Sequence, residues 1–342
     1  MPPGALLVEP ARDPADYPDL PIGFVDLDRG AADGRIALPP YPLIGLGSAD
    51  HSLATHLDAV VEPPFTADAL ARRVAAAPRA AAVTVQLLRA IEEQGVAASL
   101  TAESLAYAVL QGSAEHAAWL ADHSPSRRRR PGLRSDGGRG IPPSREMTEE
   151  GAVRATRTGA ILRITLDRPT ALNAIDRAMR DALHEVFTVA AADSEIERVE
   201  LGGVGRAFSM GGALEEFGTT RDPAEAHLIR CRTSAAWPLS RCATKLAVHV
   251  HGGCVGAGLE LAAFGRRITA SPTAWFQLPE LAMGLIPGAG GCVSVPRRIG
   301  RGRAALMILS GRRIGAALAL RWGLIDAIDD HPPIDPGGAH AR

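Results

Sequence analysis

A chain of 342 residues is long enough for two ordinary domains, or for one large domain with an extension. A hydrophobic content of 46% provides enough apolar side chains for a globular core. A formal net charge of -1 and 4% aromatic residues argue against nucleic-acid binding, which uses a positive field and stacking rings. No apolar run reaches the roughly 18–20 residues of a membrane span, so neither nucleic acid nor a membrane is expected as a partner.

The N-terminus and the cysteines predict a cytoplasmic protein. The first residues lack the charged and apolar regions of a signal peptide. The cysteines, Cys231, Cys242, Cys254 and Cys292, match no zinc-binding spacing, and so few in a long chain indicate a reducing compartment. The histidines show no paired-ligand spacing either. The sequence therefore predicts no bound metal.

Residues 1–123 form the first predicted unit. Its apolar side chains recur at helical spacing, which predicts amphipathic helices. The stripe comprises Leu70, Val74, Val83, Leu87, Leu88 and Ile91. Residues 124–147 are predicted to be a flexible linker, because the segment SPSRRRRPGLRSDGGRGIPPSR is rich in Pro, Gly, Ser and Arg. Its basic run, Arg127–Arg130, is interpreted as a solvated charge cluster rather than a phosphate site.

Residues 148–342 form the second predicted unit, in which strands and helices alternate. Strands are predicted over Ile161–Leu166, Ile196–Leu201 and Leu246–Val250. Between the first two, a helix is predicted with Asn173 as its cap. Its helical spacing is carried by Ile175, Met179, Leu183, Val186 and Ala190. This order of elements predicts an α/β fold or a repeated ββα layout.

Two glycine-rich turns share one construction, in which an apolar strand enters and a helix is predicted to leave. A helix N-terminus presents unpaired N–H groups and a partial positive charge. Backbone donors near Gly212 and Ala257 would therefore suit one developing negative charge, as in an oxyanion hole. From spacing alone, two ordinary tight turns explain the pattern as well. A dinucleotide site is disfavoured, because Gly253–Gly258 reads GxxGxG rather than GxGxxG.

Two acidic residues stand among apolar neighbours. Glu260 lies three residues after Ala257, so its carboxylate is expected to lean back toward the same helix end. Glu280 lies in FQLPELAMGLIPGAGG, where apolar neighbours are expected to raise its pKa, as a general acid requires. An exposed loop carboxylate is the alternative interpretation of Glu280.

Five segments of the second unit resemble the enoyl-CoA hydratase/isomerase, or crotonase, superfamily in order and spacing. They lie within about residues 153–329 and read ITLDRPTALNAID, GRAFSMGGALEEF, AVHVHGGCVGAGLELA, WFQLPELAMGLIPGAGG and SGRRIGAALALRWGLIDAI. The resemblance implies a crotonase-like spiral of ββα repeats that assembles as a trimer or hexamer. It also implies an acyl-CoA substrate that carries its own coenzyme A, with no metal or other cofactor.

The resemblance also assigns roles to residues. The N–H groups of Gly212 and Ala257 would hold the thioester oxygen, while Glu260 and Glu280 would handle the water and the C2 proton. The residues expected to bind coenzyme A and substrate are Ala171, Leu172, Asn173, Gly211, Ala213, Leu214 and Gly256. Two positions depart from common family patterns: Ala213 stands where an Asp is frequent, and Ala257 where many members have Gly.

The N-terminal unit resembles a different part of the same family. The chain ends soon after Asp326, where family members usually continue as helices that cover the active site. Residues 56–120 resemble those terminal helices. We therefore expect a degenerate, non-catalytic, mainly helical crotonase-like module that replaces the missing helices. An unrelated small helical domain is the alternative.

Three functions follow from these patterns. The first is hydration of a 2-enoyl-CoA thioester, or the reverse dehydration. The second is an enoyl-CoA isomerase or another crotonase-type reaction, for which one glutamate suffices. The third is a non-catalytic assembly partner that keeps the fold. Because both acids and both turns are present, the sequence favours the first.

Overall fold

The computed structural model describes residues 5–29, 36–123 and 153–329. The predicted linker and its basic run lie outside the described residues. Within the described ranges the strands form three sheets, of four, six and three strands. The molecule is a mixed α/β structure, as the sequence predicted.

The first part of the chain contains a small parallel sheet followed by four helices. The sheet has the order β1-β2-β3-β4, with β1 at Ala5–Leu7, β2 at Ile22–Asp26, β3 at Leu43–Leu46 and β4 at Ala59–Val60. The helices are α1 (Ala67–Ala76), α2 (Pro78–Ile91), α3 (Val96–Gln111) and α4 (Ala114–His123). The helices were expected but the sheet was not. Strands β2 and β3 are short apolar runs buried on both faces, so they lack the alternation that identifies a strand.

A six-stranded sheet forms the centre of the second part, in the order β13-β10-β8-β7-β6-β5. Its strands are β5 (Val153–Thr158), β6 (Ile161–Leu166), β7 (Arg198–Gly203), β8 (Leu246–Val250), β10 (Arg267–Ala270) and β13 (Ala327–Ile328). All neighbours pair in parallel except β5 and β6. Strands β6 and β8 have the predicted bounds, whereas β7 begins two residues after the predicted start. A three-stranded sheet combines β9 (Gly253–Val255), β11 (Trp275–Gln277) and β12 (Ile314–Gly315).

The helices of the second part cover these sheets. They are α5 (Arg177–Ala192), α6 (Pro223–Thr233), α7 (Ala236–Cys242), α8 (Ala257–Ala262), α9 (Gly291–Ser310) and α10 (Ala316–Trp322). Helix α5 buries Met179, Leu183 and Phe187, one turn apart along a single face. The prediction of Asn173 as its cap was wrong. Asp176 caps the helix, because its side chain accepts the N–H of Met179 at 2.9 Å.

The N-terminal helices pack directly against the second part of the chain. Helices α1 and α2 contact α9, and α3 contacts both α6 and α9. One continuous apolar core includes Val74 and Val85 from the first part and Leu306 from the second. At the edge of this contact Arg303 pairs with Glu62 at 2.8 Å. The two parts therefore bury apolar surface in common, which stabilises each against the other.

Two general features concern membranes and metals. Among the described residues no single helix is long and apolar enough to cross a membrane. Helices α1 and α2 reach that length and composition only together, and they meet at an angle of 109°. Leu70, Val74 and Leu88 of this pair are buried. The described part of the chain also holds no group of three or more His, Cys, Asp or Glu side chains placed to bind a metal ion.

Candidate active site

One cavity of about 250 Å³ lies where the two glycine-rich turns meet. Its wall includes Gly212, Ala257, Glu260 and Glu280. The four residues that the sequence predicted as the centre of the site therefore face the same space. The local geometry of each turn determines which atoms of these residues are free to contact a ligand.

The first turn leaves one backbone N–H unengaged. The carbonyl of Gly211 accepts the N–H of Ile175 at 2.7 Å, and the N–H of Ala213 donates to the carbonyl of Ile175 at 2.9 Å. The N–H of Gly212, between them, donates to no protein group within the described residues. A helix was predicted to start here, but only a three-residue 3-10 turn, Leu214–Glu216, follows, and α6 begins at Pro223. The orientation of the Gly212 N–H is therefore fixed by the backbone hydrogen bonds of its two neighbours, and not by its position at a helix N-terminus.

The second turn places another free donor beside the first. Gly256 has a positive φ of 47°, and its N–H donates to the carbonyl of Gln277 at 3.0 Å. The following N–H, of Ala257, opens α8 and has no acceptor in the part of the chain that the structure describes. Close packing joins the turns, since a Cβ on Gly211 would lie 3.0 Å from the carbonyl oxygen of Val255. Glycine is required there for the two donors to share one cavity.

Glu260 is buried, with 2% of its surface exposed, and is held by another helix. Its Oε2 accepts the N–H of Ala289 at 2.6 Å and of Gly291 at 2.9 Å. The sequence predicted that this carboxylate leans back toward the start of its own helix, and Glu260 does line the cavity together with Ala257. The N–H groups that bind it, however, belong to the turn that opens α9. Burial raises the pKa of Glu260 from 4.5 to about 7, while the two N–H groups oppose that rise.

Glu280 opens a 3-10 turn, Glu280–Met283, and its Oε1 lies so close to Gly256 that a Cβ added there would be 2.7 Å from it. It is buried, so the alternative of an exposed loop carboxylate is excluded. Its Oε2 has no hydrogen-bond partner among the described residues. Burial raises the pKa of Glu280 well above its ordinary value, and the nearby Glu260 carboxylate raises it further. One carboxylate is held by two N–H groups and the other has an oxygen without a partner among the described residues, and carboxyl groups in such different surroundings are able to divide acid and base work.

The residues predicted to bind coenzyme A and substrate are only partly brought together. Ala213 lines the cavity. Gly211 and Gly256 shape the two turns, and Ala171, Leu172, Asn173 and Leu214 are not part of the cavity wall. Asn173 is fully buried, and its side-chain amide donates to the carbonyls of Val204, Ala207 and Phe208. Asn173 therefore stabilises the first turn from behind, and its side chain is not available to a ligand.

The N-terminal helices supply part of the cavity wall. The sequence led us to expect these helices in place of those that cover the active site, but it indicated none of the residues that line the wall. Tyr107, Gln111 and His116 line it together with Arg230 of α6. The Arg230 guanidinium lies 4.6 Å from the centre of the Tyr107 ring and donates to Oε1 of Gln111 at 2.7 Å. Tyr107 and Gln111 are one helical turn apart and share a face of α3. In the sequence, this spacing indicates only that the two side chains lie on the same face of a helix. No neighbouring residue indicates that this face lines a cavity.

Comparisons with known proteins place the chain in a family. A family model described as enoyl-CoA hydratase/isomerase matches residues 156–332, about half of the chain. The chain belongs to this family, within the crotonase superfamily, as the five sequence segments indicated. Crotonase-type chemistry on an acyl-CoA thioester is therefore the reaction class that membership supports.

Individual relatives carry hydratase and dehydratase names. The chain is 35% identical over 173 residues to 2,3-dehydroadipyl-CoA hydratase of Escherichia coli K12, covering 51% of this chain and 67% of the relative. It is 31% identical over 173 residues to carnitinyl-CoA dehydratase of the same strain, covering 51% and 66%. The match thus spans about two thirds of each relative. Among solved structures, enoyl-CoA hydratase from Thermoplasma volcanium GSS1 is 32% identical, with a TM-score of 0.48 and coverage of 52% and 72%.

Proposed function

We propose that the protein adds water to a 2-enoyl-CoA thioester to form 3-hydroxyacyl-CoA, or catalyses the reverse dehydration. The proposal depends on one observation: two buried carboxylates share a cavity with two unengaged N–H groups. The hydratase and dehydratase names of the relatives support it.

In the proposed mechanism the thioester oxygen accepts the N–H groups of Gly212 and Ala257. Glu260, ionised, takes a proton from water while the water oxygen bonds to C3. The C2=C3 electrons move onto the thioester oxygen as an enolate. Glu280, protonated, then gives its proton to C2, and the thioester carbonyl is restored. One water has been added, and the proton gained by Glu260 returns to Glu280 before the next turnover.

Each part of this arrangement has a characteristic effect on rate. One donor of an oxyanion hole contributes roughly 10²–10³. A positioned general acid or base contributes about 10²–10⁴. Because both carboxylates are buried, their charges act in a medium of lower dielectric constant than water, where such effects are larger.

The two other functions use less of what is present. An isomerase moves a proton between two carbons and needs one base, so Glu260 would have no task. A non-catalytic partner would need neither carboxylate. Burying an ionisable group without a counter-charge destabilises the fold, so such a partner would gain nothing from either of them. The presence of two buried carboxylates on one cavity therefore favours a reaction that uses both.

We extend the proposal to the setting of the reaction. Coenzyme A is supplied by the substrate, no other cofactor takes part, and the protein is a cytoplasmic homo-oligomer, a trimer or hexamer. Family resemblance and the sequence features described above support this extension.

The test compares two reactions in one variant. We expect Glu260→Gln to lower hydration of 2-enoyl-CoA by roughly 10² or more, measured as loss of enoyl-thioester absorbance across a panel of substrates. Exchange of an acyl-CoA α-proton with deuterium oxide should continue, because Glu280 and the two N–H groups can still form the enolate. Glu195→Gln, which removes an exposed carboxylate, is the control and should change neither rate.

Two results would contradict the hydratase assignment. Glu260→Gln hydrating at the wild-type rate would remove the second carboxylate from the mechanism. A wild-type protein that shifts the double bond of a 3-enoyl-CoA far faster than it adds water would be an isomerase.

A further inference from the structure

The turn that holds Glu260 is held from its other side by a third buried carboxylate. Glu103 lies on α3 in the N-terminal part and is 2% exposed. It shares four successive N–H groups, of residues 289–292, with Glu260. Ala289 and Gly291 donate to Oε2 of Glu260 at 2.6 and 2.9 Å, whereas Gly290 donates to Oε1 of Glu103 at 2.7 Å and Cys292 to Oε2 of Glu103 at 2.8 Å.

This alternation follows from where the turn lies. The N–H groups at the start of α9 have no partners within the helix. Successive N–H groups of residues 289–292 point to opposite sides, one toward α8 and the other toward α3. Gly291 packs so closely on Glu260 that an added Cβ would lie 2.5 Å from its Cγ. Gly288 packs equally closely on the ring of Tyr107. The turn is therefore confined between the two helices.

Several neighbouring groups influence the pKa of Glu103. Burial raises the pKa of Glu103, and the Glu260 carboxylate raises it further, while the N–H groups of Gly290 and Cys292 and the Arg230 guanidinium oppose the rise. Arg230 is itself fixed to α3, since its Nε donates to Oγ of Ser104 at 3.1 Å. Each carboxylate oxygen of Glu103 thus accepts one N–H, and removing the side chain would leave two buried N–H groups without partners.

We propose that Glu103 is a positioning residue for Glu260: by binding Gly290 and Cys292 it fixes the turn whose other two N–H groups orient Oε2, so that Oε1 faces the water. The N-terminal part would then contribute to the reaction without supplying a catalytic residue. This inference rests on the proposed function in one respect: the assay that tests it measures the rate of hydration.

The test uses variants of the 342-residue chain. Glu103→Gln keeps the shape of the side chain but presents an NH2 group to one of the two N–H donors. We expect kcat for hydration to fall about tenfold to a hundredfold with KM within about twofold, because misplacing a catalytic group by about 1 Å has an effect of this size. The α-proton exchange, which depends on Glu280, should stay within about threefold of wild type.

A matched control is available in the same part of the chain. Glu115 also binds two successive N–H groups at a helix start, of Arg79 at 2.8 Å and Ala80 at 3.0 Å, but the N–H groups that bind Glu260 belong to a different turn. Glu115→Gln should change neither rate. If Glu103→Gln fails to fold, Glu103→Asp serves instead; it keeps the charge but can reach only one N–H, and a smaller loss of hydration is expected.

Equal losses of hydration and exchange in the Glu103 variant, or no loss of either, would overturn the inference. If the wild-type protein hydrates no 2-enoyl-CoA, the proposed function fails on its own, and a crystal structure of the variant decides about Glu103. Lost or lengthened hydrogen bonds from Ala289 and Gly291 to Glu260 would support the positioning role, and unchanged ones would refute it.

Discussion

Glu260 is predicted to destabilise the folded protein above neutral pH, and Glu260→Gln tests this. The carboxyl has a pKa of about 7 in the folded protein against an ordinary 4.5. Between these values the folded state binds more protons than the unfolded state, so stability falls as pH rises through this window. Glutamine carries no charge at any pH, and its carbonyl oxygen is able to accept the N–H groups of Ala289 and Gly291.

The rise in pKa from 4.5 to about 7 corresponds to about 3 kcal/mol. We therefore expect Glu260→Gln to exceed the wild type in free energy of unfolding by about 3 kcal/mol at pH 8, and by less than about 1 kcal/mol at pH 5. Loss of the Glu260 charge also lowers the pKa of Glu280 and of Glu103, because its Coulomb effect raises both. These lower pKa values also stabilise the folded variant at pH 8 relative to the wild type.

Urea denaturation followed by circular dichroism at pH 5 and pH 8 measures the difference. Glu195→Gln, which removes an exposed carboxylate, is the control and should show no comparable gain at pH 8. An advantage of Glu260→Gln that is the same at both pH values, or that is larger at pH 5, would refute the reasoning. A stabilised but inactive variant is the combination expected of a residue kept for function.

Two further predictions concern Glu280 and the N-terminal part. Glu280→Gln should keep the fold, by circular dichroism, and lower kcat for the best 2-enoyl-CoA by at least roughly 10²; near wild-type turnover would exclude Glu280 from the mechanism. A truncated chain beginning at Met147 should lose activity and aggregate or change its mass in light scattering, because α9 loses the apolar cover of α1 and α2. A soluble, active fragment whose assembly is unchanged would contradict that expectation.

Much of the second part could be predicted because its information is local. The strands Ile161–Leu166 and Leu246–Val250 are bounded by turn residues and have the predicted limits. Glu260 and Glu280 stood out as acids within apolar segments, and the structure places both on one cavity. Asn173 was misassigned because a buried side-chain amide and a helix cap look alike in sequence. The β1–β4 sheet was missed because its strands do not alternate.

The sequence by itself determined the α/β class, the family and the identity of the two central acids, since each depends on segments whose residues are close together in the chain. Only the tertiary structure decided which groups hold those acids. The N–H donors of Glu260 lie about thirty residues away, on another helix, and Glu103 reaches Gly290 across 187 positions. Hydrogen bonds over such separations leave no periodic pattern, because they are set by how α3, α8 and α9 pack and not by the spacing of residues within any one of them.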